Sequence, residues 1–273
     1  LVQALWAAAP KAHHEATSQD AVDTAAMLVA KRALVPLLHD LRGAADAAAE
    51  LAEAHRDTPI IGRTLLQHAR PTTFGLKAAG WMAALDEAAD HLHSVRLAYQ
   101  LGGPAGTLDP PYRLDLGLDV PRLPWHTLRN RVGELAGALG VAAGVCGKAA
   151  LDLVLLSQSE VAEVREAAGG GSTSMPHKHN PVAAVSALGC AKQAPGLVAT
   201  LLAAMVQEHE RAAGAWHAEW RPLTELLTVT GSAASWLRTA LGTLEVDAER
   251  MRSRAEGDTG AAAALVDRAL ESR

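Results

Sequence analysis

An all-α fold, built as an elongated bundle of long helices, is predicted by three features of the sequence. Aromatic residues make up 3% of the 273 residues, while Ala and Leu are abundant, a composition poor in strand formers and rich in helix formers. Apolar residues recur at three- and four-residue intervals over long stretches, as on one face of a helix. No stretch alternates apolar and polar residues, which argues against a dinucleotide-binding or barrel fold.

The first helix is predicted over residues 20–57. Thr17 and Asp20 have the spacing of a capping box, in which the Thr hydroxyl and the Asp carboxylate satisfy the first free backbone amides. The helix is therefore expected to begin at this pair. One apolar stripe follows the helical spacing: Leu34, Leu37, Leu41, Ala44, Ala48 and Leu51.

Further helices are predicted wherever glycine or proline bounds a periodic stretch: residues 71–101, 127–168, 181–213 with a kink at Pro195, and 217–244. The proline-rich stretch 104–124 predicts a loop, and the tail from Val246 predicts short helices. The apolar face expected on the helix at 127–168 is Leu135, Leu139, Ala142, Cys146, Ala149, Leu153 and Leu156. Helices of about 30 to 40 residues are longer than those of typical globular domains. Several carry apolar residues on more than one face, which predicts an oligomer.

Composition and charge narrow the possible partners. Apolar residues make up 49% and charged residues 20%, and 25 Lys+Arg against 30 Asp+Glu give a formal net charge of −5. Such a chain has no basic field to hold nucleic acid or an anionic membrane. No uninterrupted apolar run is expected to reach the roughly 20 residues of a membrane helix. We therefore predict no nucleic-acid partner and no membrane partner, whereas a small anionic substrate remains possible.

The cysteines and the start of the chain bear on its compartment. Cys146 and Cys190 lie in apolar stretches and are too few for a disulfide framework. They are predicted to be reduced, buried and unreactive, and the compartment to be cytoplasmic. The chain begins without an initiator Met and without the layout of a signal peptide, so we interpret it as a fragment.

The segment 169–181 stands apart from the helical background. Three glycines are followed by three hydroxyl side chains, and then by Lys178 between two imidazoles and by Asn180. The same residues would suit an ordinary surface loop that ends one helix and caps the next, so a structural and a functional interpretation both stay open. His177 and His179 lack a third ligand at metal-binding spacing, and no phosphate-binding motif occurs. No metal and no cofactor are predicted.

Three blocks of this sequence resemble the fumarase/aspartase superfamily. Residues 171–181, Gly-Ser-Thr-Ser-Met-Pro-His-Lys-His-Asn-Pro, resemble its G-S-S-x-M-P-x-K-x-N-P signature. Residues 13–20 resemble its T-S-x-D block, and residues 62–75 resemble its G-R-T-H-x-x-x-A-x-P-T-T-F-G block. Within the superfamily, residues 175–178 and 207–220 are most similar to the cycloisomerase branch. The resemblance covers nearly the whole chain.

The resemblance implies an all-α homotetramer with a helical core of the fumarase/aspartase type. Each active site in that family is assembled from three chains and acts on a small polycarboxylate. Residues 1–245 would be the central long-helix domain, without the family's N-terminal domain, and residues 246–273 the truncated start of a small C-terminal domain. The joins near residues 10–13 and 108–111 are short beside the family, either as true deletions or because residues are absent.

The resemblance also assigns roles. The second hydroxyl of the signature, Thr173, would be the base, although its extra methyl group leaves Ser172 and Ser174 as alternatives. Lys178 and Asn180 would hold a substrate carboxylate. The full set of candidate substrate-binding residues is Thr17, Ser18, Gln19, Arg63, Thr64, Gln67, Met175, Lys178, Asn180 and Arg211.

For two histidines and two arginines, a structural role stays open beside a role in the active site. His68, four residues after Thr64 if this stretch is helical, and His217 are candidates to share a proton or orient substrate, and each is as readily a structural histidine. Arg63 and Arg211 suit bidentate pairing with carboxylates. Each would also suit a salt bridge between helices, with the candidate partners Glu208, Glu210 and Glu219.

Position 65 separates the branches of the superfamily. The family's reaction moves a proton at a carbon beside a carboxylate, so cations and amide donors near that carboxylate stabilise the charge that develops. A hydroxyl serves as base only where donors or a cation lower its pKa in a closed site, and the glycine-rich flank would permit that closure. Lyases of the family generally have a His where this chain has Leu65, and in some it helps to protonate a leaving amine.

In cycloisomerisation the leaving group is a carboxylate with a pKa of roughly 4, which departs without a proton. Leu65 therefore favours a cycloisomerase that closes a carboxylated dienoic acid to a lactone in aromatic-acid catabolism. The alternatives are a fumarate-releasing lyase such as adenylosuccinate lyase, and a catalytically inactive scaffold that keeps only the bundle.

Overall fold

The computed structural model describes residues 15–109, 113–167, 169–171, 173–175 and 178–273. Within these ranges the helices are α1 (Ser18–Ala54), α2 (Phe74–Ser94), α3 (Asn130–Leu156), α4 (Val182–Ala191), α5 (Ala194–Ala203), α6 (Ala215–Gly242), α7 (Ala248–Arg252) and α8 (Ala262–Glu271). Short strands form three antiparallel pairs: β1 (Pro59–Thr64) with β2 (Gln67–Thr73), β3 (Val164–Glu166) with β6 (Leu244–Val246), and β4 (Gly170–Gly171) with β5 (His179–Asn180). The predicted all-α class is confirmed. The join near residues 10–13 and residues 110–111 of the second join lie outside the described residues.

The start of α1 forms half of the predicted capping box. The Asp20 carboxylate accepts the N–H of Thr17 at 2.9 Å, as the box requires. The Thr17 hydroxyl accepts a bond from Arg211 Nη1 at 2.5 Å, and the Asp20 amide donates to the Thr17 carbonyl oxygen at 3.1 Å instead. The predicted stripe lines the core, with Leu51 half-buried and the following residues buried: Leu34, Leu37, Leu41, Ala44 and Ala48.

Residues 59–73 form a β-hairpin, so the expectation that a helix opens at Pro71 is wrong. The pairing runs from Pro59 opposite Thr73 to Thr64 opposite Gln67. The β-branched Ile60 and Ile61 are buried, as suits a strand that packs on helices. Because each strand of a two-stranded sheet is an edge, Pro71 in β2 removes no bond that a central strand would need.

The second helix is shorter than predicted at both ends. α2 begins at Phe74, where the Thr73 hydroxyl accepts the N–H of Leu76 at 3.1 Å and caps the helix. It ends at Ser94 rather than at residue 101, because the backbone beyond it pairs with Asp119. The Asp119 amide donates to the Leu97 carbonyl oxygen at 2.8 Å.

Gly75 lets α2 start against the end of α1. A Cβ at this position would lie 2.7 Å from the carbonyl oxygens of Ala52 and His55. The Gly75 amide donates to the His55 carbonyl oxygen at 2.9 Å. A larger residue at this position would push the start of α2 away from the end of α1, the two helix ends that flank the hairpin.

The third helix has the predicted face but a different end. All of its expected apolar residues are buried: Leu135, Leu139, Ala142, Cys146, Ala149, Leu153 and Leu156. α3 ends at Leu156 instead of residue 168, because residues 164–166 pair with β6. That pairing joins segments about 80 residues apart, which helical periodicity does not encode.

The remaining helices largely follow the prediction. A break separates α4 from α5 at residues 192–193, two residues before Pro195, where the sequence predicts a kink. Pro195 itself lies in the first turn of α5, where a missing N–H costs little. The predicted helix at 181–213 ends earlier, at Ala203. Helix α6 contains Pro222, and α7 and α8 are the short helices predicted for the tail.

The two cysteines differ in their surroundings. Cys146 on α3 is fully buried, and burial raises the pKa of its thiol to about 12. Cys190 on α4 is half-buried. The expectation of a buried thiol is therefore correct for Cys146 and wrong for Cys190, because the face of α4 that carries Cys190 is not fully covered; that the Cys190 thiol is unreactive stays a prediction.

Contacts divide the chain into two compact units. Among the described residues, unit 1 comprises 15–36, 94–109, 113–140 and 195–228, and unit 2 comprises 37–93, 141–167, 169–171, 173–175, 178–194 and 229–273. Large, fully buried core residues are Met27, Leu135 and Leu201 in unit 1, and Leu41, Phe74 and Leu153 in unit 2.

Two segments are long and apolar enough to span a membrane by length and composition alone. They are Asn130–Leu156 and Val182–Ala203, and 50% and 28% of their most apolar windows are buried. Lys148 interrupts the first segment and Lys192 the second, so neither contains the uninterrupted apolar run of about 20 residues that was not expected, and the absence of a membrane partner stays a prediction. A core helix meets the same criterion, as the buried face of α3 illustrates, but the second segment leaves much of its apolar surface uncovered.

Candidate active site

The signature loop is a short hairpin between β3 and α4 in unit 2. Its stem is the β4–β5 pair, with Gly170 opposite Asn180 and Gly171 opposite His179. Thr173, Ser174, Met175 and Lys178 are exposed, and Asn180 is half-buried. Ser172 lies outside the described residues. The stem thus fixes Asn180, while the hydroxyls of Thr173 and Ser174 and the Lys178 ammonium group lie at the surface of the unit.

The stem is anchored by Glu166, the last residue of β3. Its carboxylate oxygens accept the N–H groups of Ala183 at 3.0 Å and of Ala184 at 2.8 Å, in the first turn of α4. Glu166 is buried. Its carbonyl oxygen also accepts the N–H of Gly169 at 3.1 Å, so this residue contacts the chain on both sides of the loop.

A cavity of about 820 Å³ lies beside the stem. Its charged and amide lining residues are Arg165, Glu166, His179, Asn180, Glu245, Asp247, Glu249 and Arg250. Arg165 pairs with Glu245 across β3 and β6. Carboxylates outnumber arginines in this lining, so the cavity offers little net attraction to a polycarboxylate.

Four candidate residues lie on the β1–β2 hairpin. Arg63 is opposite His68, and Thr64 is opposite Gln67. Thr64, Gln67 and His68 are exposed. His68 does not follow Thr64 along a helix, because the chain turns back at residues 65–66. The hairpin nevertheless brings these four side chains to one end of a single element.

Arg63 forms a bidentate ion pair within unit 2. Its Nη1 and Nη2 donate to Glu163 at 2.9 and 2.8 Å, and Arg254 also contacts this fully buried carboxylate at 3.4 Å. The expected alternatives, Glu208, Glu210 and Glu219, are not its partners. Arg63 therefore attaches the hairpin to the segment before β3, with Glu163 neutralising its charge.

The two-residue turn of this hairpin has an unusual backbone. Leu65 and Leu66 have φ of 50° and 63°, the left-handed conformation that a tight I′-type turn requires and that Asn and Gly ordinarily supply. Their exposed fractions are 95% and 75%. A strained backbone with bare apolar side chains occupies the position where the family's block has a His.

The other candidates lie in unit 1, where Thr17 and Arg211 meet through the 2.5 Å bond described above. The Arg211 guanidinium carbon also lies 5.8 Å from the centre of the Trp216 ring. Ser18, the first residue of α1, is exposed. Arg211 thus has a hydroxyl partner and an aromatic neighbour, and is held next to the T-S-x-D block.

His217 packs in an aromatic cluster. Its ring centre lies 5.0 Å from that of Trp216 and 4.8 Å from that of Trp220. The imidazole is exposed, as is Trp220, whereas Trp216 is buried. The geometry is that of a surface histidine in edge-on contact with one tryptophan and in tilted contact with the other.

Gln19 lies on the inner face of α1 and is completely buried. Its amide nitrogen donates to the His126 carbonyl oxygen at 2.8 Å and to Asp23 at 3.2 Å, and its side-chain oxygen has no partner among the described residues. Its role toward substrate stays a prediction.

Asp20 is the centre of a buried polar network that sequence reasoning missed. Its carboxylate accepts bonds from His126 Nε2 at 2.7 Å and from the amides of Gly102 and Gly103 at 3.0 Å. Burial alone would raise the pKa of Asp20, but the bonds from His126, Thr17 and Gly103 outweigh it and hold that pKa below its usual value. Asp20 therefore holds the loops around residues 102 and 126 against the start of α1.

A second buried network surrounds Arg129. Its guanidinium donates to Asp23 at 2.8 Å and to Glu219 at 2.5 Å, and Trp216 Nε1 donates to Asp23 at 2.9 Å. Burial raises the pKa of Glu219 despite this pairing. The signal that predicts both networks is a matched spacing: Asp20 and Asp23 are three residues apart on one segment, as are His126 and Arg129 on another.

The described part of the chain contains no group of three or more His, Cys, Asp or Glu placed to hold a metal ion. The candidates form two sets, the T-S-x-D block with Arg211 in unit 1, and the signature loop with the β1–β2 hairpin in unit 2. The helical fold, the signature loop and the hairpin are together typical of the fumarase/aspartase class of proteins. The chain matches the family model described as "Lyase" over residues 2–196, and therefore belongs to that family.

Comparison with individual proteins identifies more specific relatives within this family. The chain is 48% identical to a 3-carboxy-cis,cis-muconate cycloisomerase of Bradyrhizobium diazoefficiens, over 95% of this chain and 63% of that protein. It is 44% identical to a nitrosuccinate lyase of Streptomyces davaonensis, over 90% of this chain and 57% of that protein. A crystal structure of 3-carboxy-cis,cis-muconate lactonizing enzyme from Pseudomonas putida matches with a TM-score of 0.84 and 37% identity, over 99% of this chain and 69% of that one. The chain thus spans about three fifths of the length of these curated relatives.

Proposed function

We propose that this chain is the core of a cycloisomerase that converts 3-carboxy-cis,cis-muconate to a carboxymuconolactone in aromatic-acid catabolism. The similarity to relatives named for this activity, 48% identity in one of them, carries the proposal, and one observation in the site is consistent with it. Leu65 occupies the hairpin turn where the family's block has a His. At this position the site therefore has no side chain that could protonate a leaving group.

The reaction needs no such group. In the direction of ring closure, a carboxylate oxygen of the substrate adds to an alkene carbon and forms the lactone C–O bond. The electron pair of the alkene moves to the neighbouring carbon, where the adjacent carboxylate stabilises it, and this carbon then takes a proton. In reverse, the proton leaves first and the carboxylate departs as a stable anion.

The signature loop supplies the remaining chemistry in this proposal. One of its hydroxyls, Thr173 or a neighbouring Ser, moves the proton. Lys178 and Asn180 bind the carboxylate that gains negative charge, and their stabilisation grows as that charge develops. Thr17, Ser18 and Arg211 bind other substrate oxygens. The proposal requires no cofactor.

We further propose a cytoplasmic homotetramer in which sites are shared between chains. The apolar side chains that α3 and α4 leave exposed in unit 2 support an oligomer: Val141, Leu151, Val182 and Val185. The carboxylate-rich cavity beside Asn180 also favours sharing, because a polycarboxylate would need cations beyond those lining it. Arg211 of another copy would supply such a cation, beside the Thr17 hydroxyl.

A second candidate is a lyase acting on nitrosuccinate, favoured by the relative of that name at 44% identity. Elimination from nitrosuccinate would release nitrite, which is also a stable anion. Leu65 therefore fits both reactions and does not distinguish them. A lyase that releases an amine, such as adenylosuccinate lyase, fits Leu65 less well.

The test is turnover by the purified, assembled protein. With 3-carboxy-cis,cis-muconate we expect loss of the diene ultraviolet absorbance and formation of a lactone, with little turnover of nitrosuccinate or adenylosuccinate. Nitrite release from nitrosuccinate without diene loss would establish the second candidate instead. An intact assembly that turns over none of the three substrates would leave the scaffold alternative.

A further inference from the structure

We infer that Glu166 is a positioning residue for the proposed reaction, acting through the stem that carries Asn180 and leads to Lys178. The inference rests on the proposed function for its kinetic consequences and on the contacts of Glu166 for its geometry. Glu166 itself lies outside the three blocks that resemble the superfamily.

The first step of the argument is the cap of α4. The residue at its N-cap is Pro181, which provides no side-chain acceptor. The first amides of a helix need acceptors when they are not in water. The buried Glu166 carboxylate meets that need from a different segment, with bonds of 3.0 and 2.8 Å to Ala183 and Ala184.

The second step is the charge of the group. A helix N-terminus carries partial positive charge, so a carboxylate binds there more strongly than a neutral amide. Gln at this position would keep the shape but replace one acceptor oxygen by an NH₂ donor facing a backbone N–H. The charge of Glu166 therefore determines how firmly the stem is held.

The third step links the anchor to the candidate site. Glu166 bonds to Gly169, which directly precedes β4, and to Ala183, which lies three residues after Asn180. The β4–β5 pair lies between these two attachments. Moving either attachment shifts the stem, and with it the side chains that the proposal places on the substrate carboxylate. Because that carboxylate gains charge in the transition state, the shift should lower kcat more than it raises KM.

The experiment is a double-mutant cycle with Glu166→Gln and Asn180→Ala, measured on the substrate that the enzyme turns over. We expect Glu166→Gln to reduce kcat about tenfold in the parent protein, with KM changed less than twofold, and to have little further effect beside Asn180→Ala. The matched control is Glu225→Gln on α6, a half-buried carboxylate that pairs with Arg221. Its kcat should stay within twofold of the parent.

If Glu166 only stabilises the fold, the result differs. The effects of the two substitutions on activity then multiply, and Glu166→Gln leaves kcat per folded enzyme unchanged. That result would overturn the inference. Hydrogen exchange at the Ala183 and Ala184 amides provides a readout independent of activity, and it should accelerate in Glu166→Gln. Unchanged exchange would refute the anchor itself, whereas accelerated exchange in a protein inactive on every substrate would refute the proposed function and leave the anchor standing.

Discussion

Leu65 and Leu66 form a turn whose backbone favours Asn or Gly, and they present bare apolar side chains at its tip. The sequence alone identifies Leu65 as unusual, because it replaces a His within a block that is otherwise similar to the family. The left-handed backbone is not predictable, because it depends on β1 and β2 closing into a hairpin of fixed register.

Thr17 and Asp20 illustrate the same limit at single residues. Their local spacing predicts the bond from the Thr17 amide to the Asp20 carboxylate, which the structure contains. It does not predict that Arg211, 194 residues further along the chain, donates a hydrogen bond to the Thr17 hydroxyl. Local bonds follow from spacing, whereas partners distant in sequence follow only from the fold.

The thiols provide a prediction at this scale. In the native protein we expect a thiol-specific disulfide reagent to modify Cys190, which is half-buried, and to leave Cys146 unmodified. Burial both shields Cys146 and raises the pKa of its thiol to about 12, so that almost no thiolate forms near neutral pH.

The measurement is a count of thiols modified before and after unfolding, with peptide mapping of the modified residue. One thiol should react in the native protein and both after unfolding. Rapid native modification of Cys146 would contradict the packing described for α3.

Among the elements, the helical cores were predictable and several ends were not. The apolar stripe on α1 and the face of α3 follow from three- and four-residue spacing and are buried as expected. The errors occur where a helical pattern is interrupted by pairing with a distant segment: β1 with β2, β3 with β6, and Leu97 with Asp119. Such pairing competes with the helix through backbone bonds that periodicity does not reveal.

The Asp20 network predicts a pH dependence of stability. The pKa of Asp20 is lowered in the folded protein, so its ionised form stabilises the fold above the unfolded-state value near 3.8, and this contribution is lost as pH falls through the folded-state pKa. We expect Asp20→Asn to lower the free energy of unfolding by about 1–3 kcal/mol at pH 7. The loss should shrink as the pH falls below about 4.

Denaturant unfolding of both proteins between pH 3 and pH 7 checks this prediction. The control is Asp247→Asn, which alters a carboxylate that caps α7 at the surface. Its effect should be smaller across the whole range. A loss for Asp20→Asn that is the same at pH 3 and pH 7 would argue against an ionised, hydrogen-bonded Asp20.

At the scale of the whole molecule, the sequence predicted an oligomer because its helices are apolar on more than one face. The uncovered apolar side chains of α3 and α4 support that expectation without identifying the partner surface. The candidate residues occur in two sets, in unit 1 and in unit 2. If sites are shared between chains, an intact site requires each set from a different copy.

Subunit mixing tests this sharing. We expect Thr17→Val and Lys178→Met to be nearly inactive when each is assembled alone. In hybrid oligomers from an equal mixture, about one quarter of the sites would receive an unaltered contribution from both chains, and a corresponding fraction of parental activity should return. Activity equal to the sum of the two separate variants would mean that each site is formed within one chain.

The most direct measurement is the rate of diene loss from 3-carboxy-cis,cis-muconate for Lys178→Met beside Lys31→Met. Both lysines are exposed, and Lys31 on α1 bonds only to the Gly117 carbonyl oxygen among the described residues. Because Lys178 is proposed to stabilise the developing carbanion, we predict a loss of kcat of about 10²-fold for Lys178→Met. Lys31→Met should retain the parental rate. Full activity in Lys178→Met would contradict the assignment of the signature loop to catalysis.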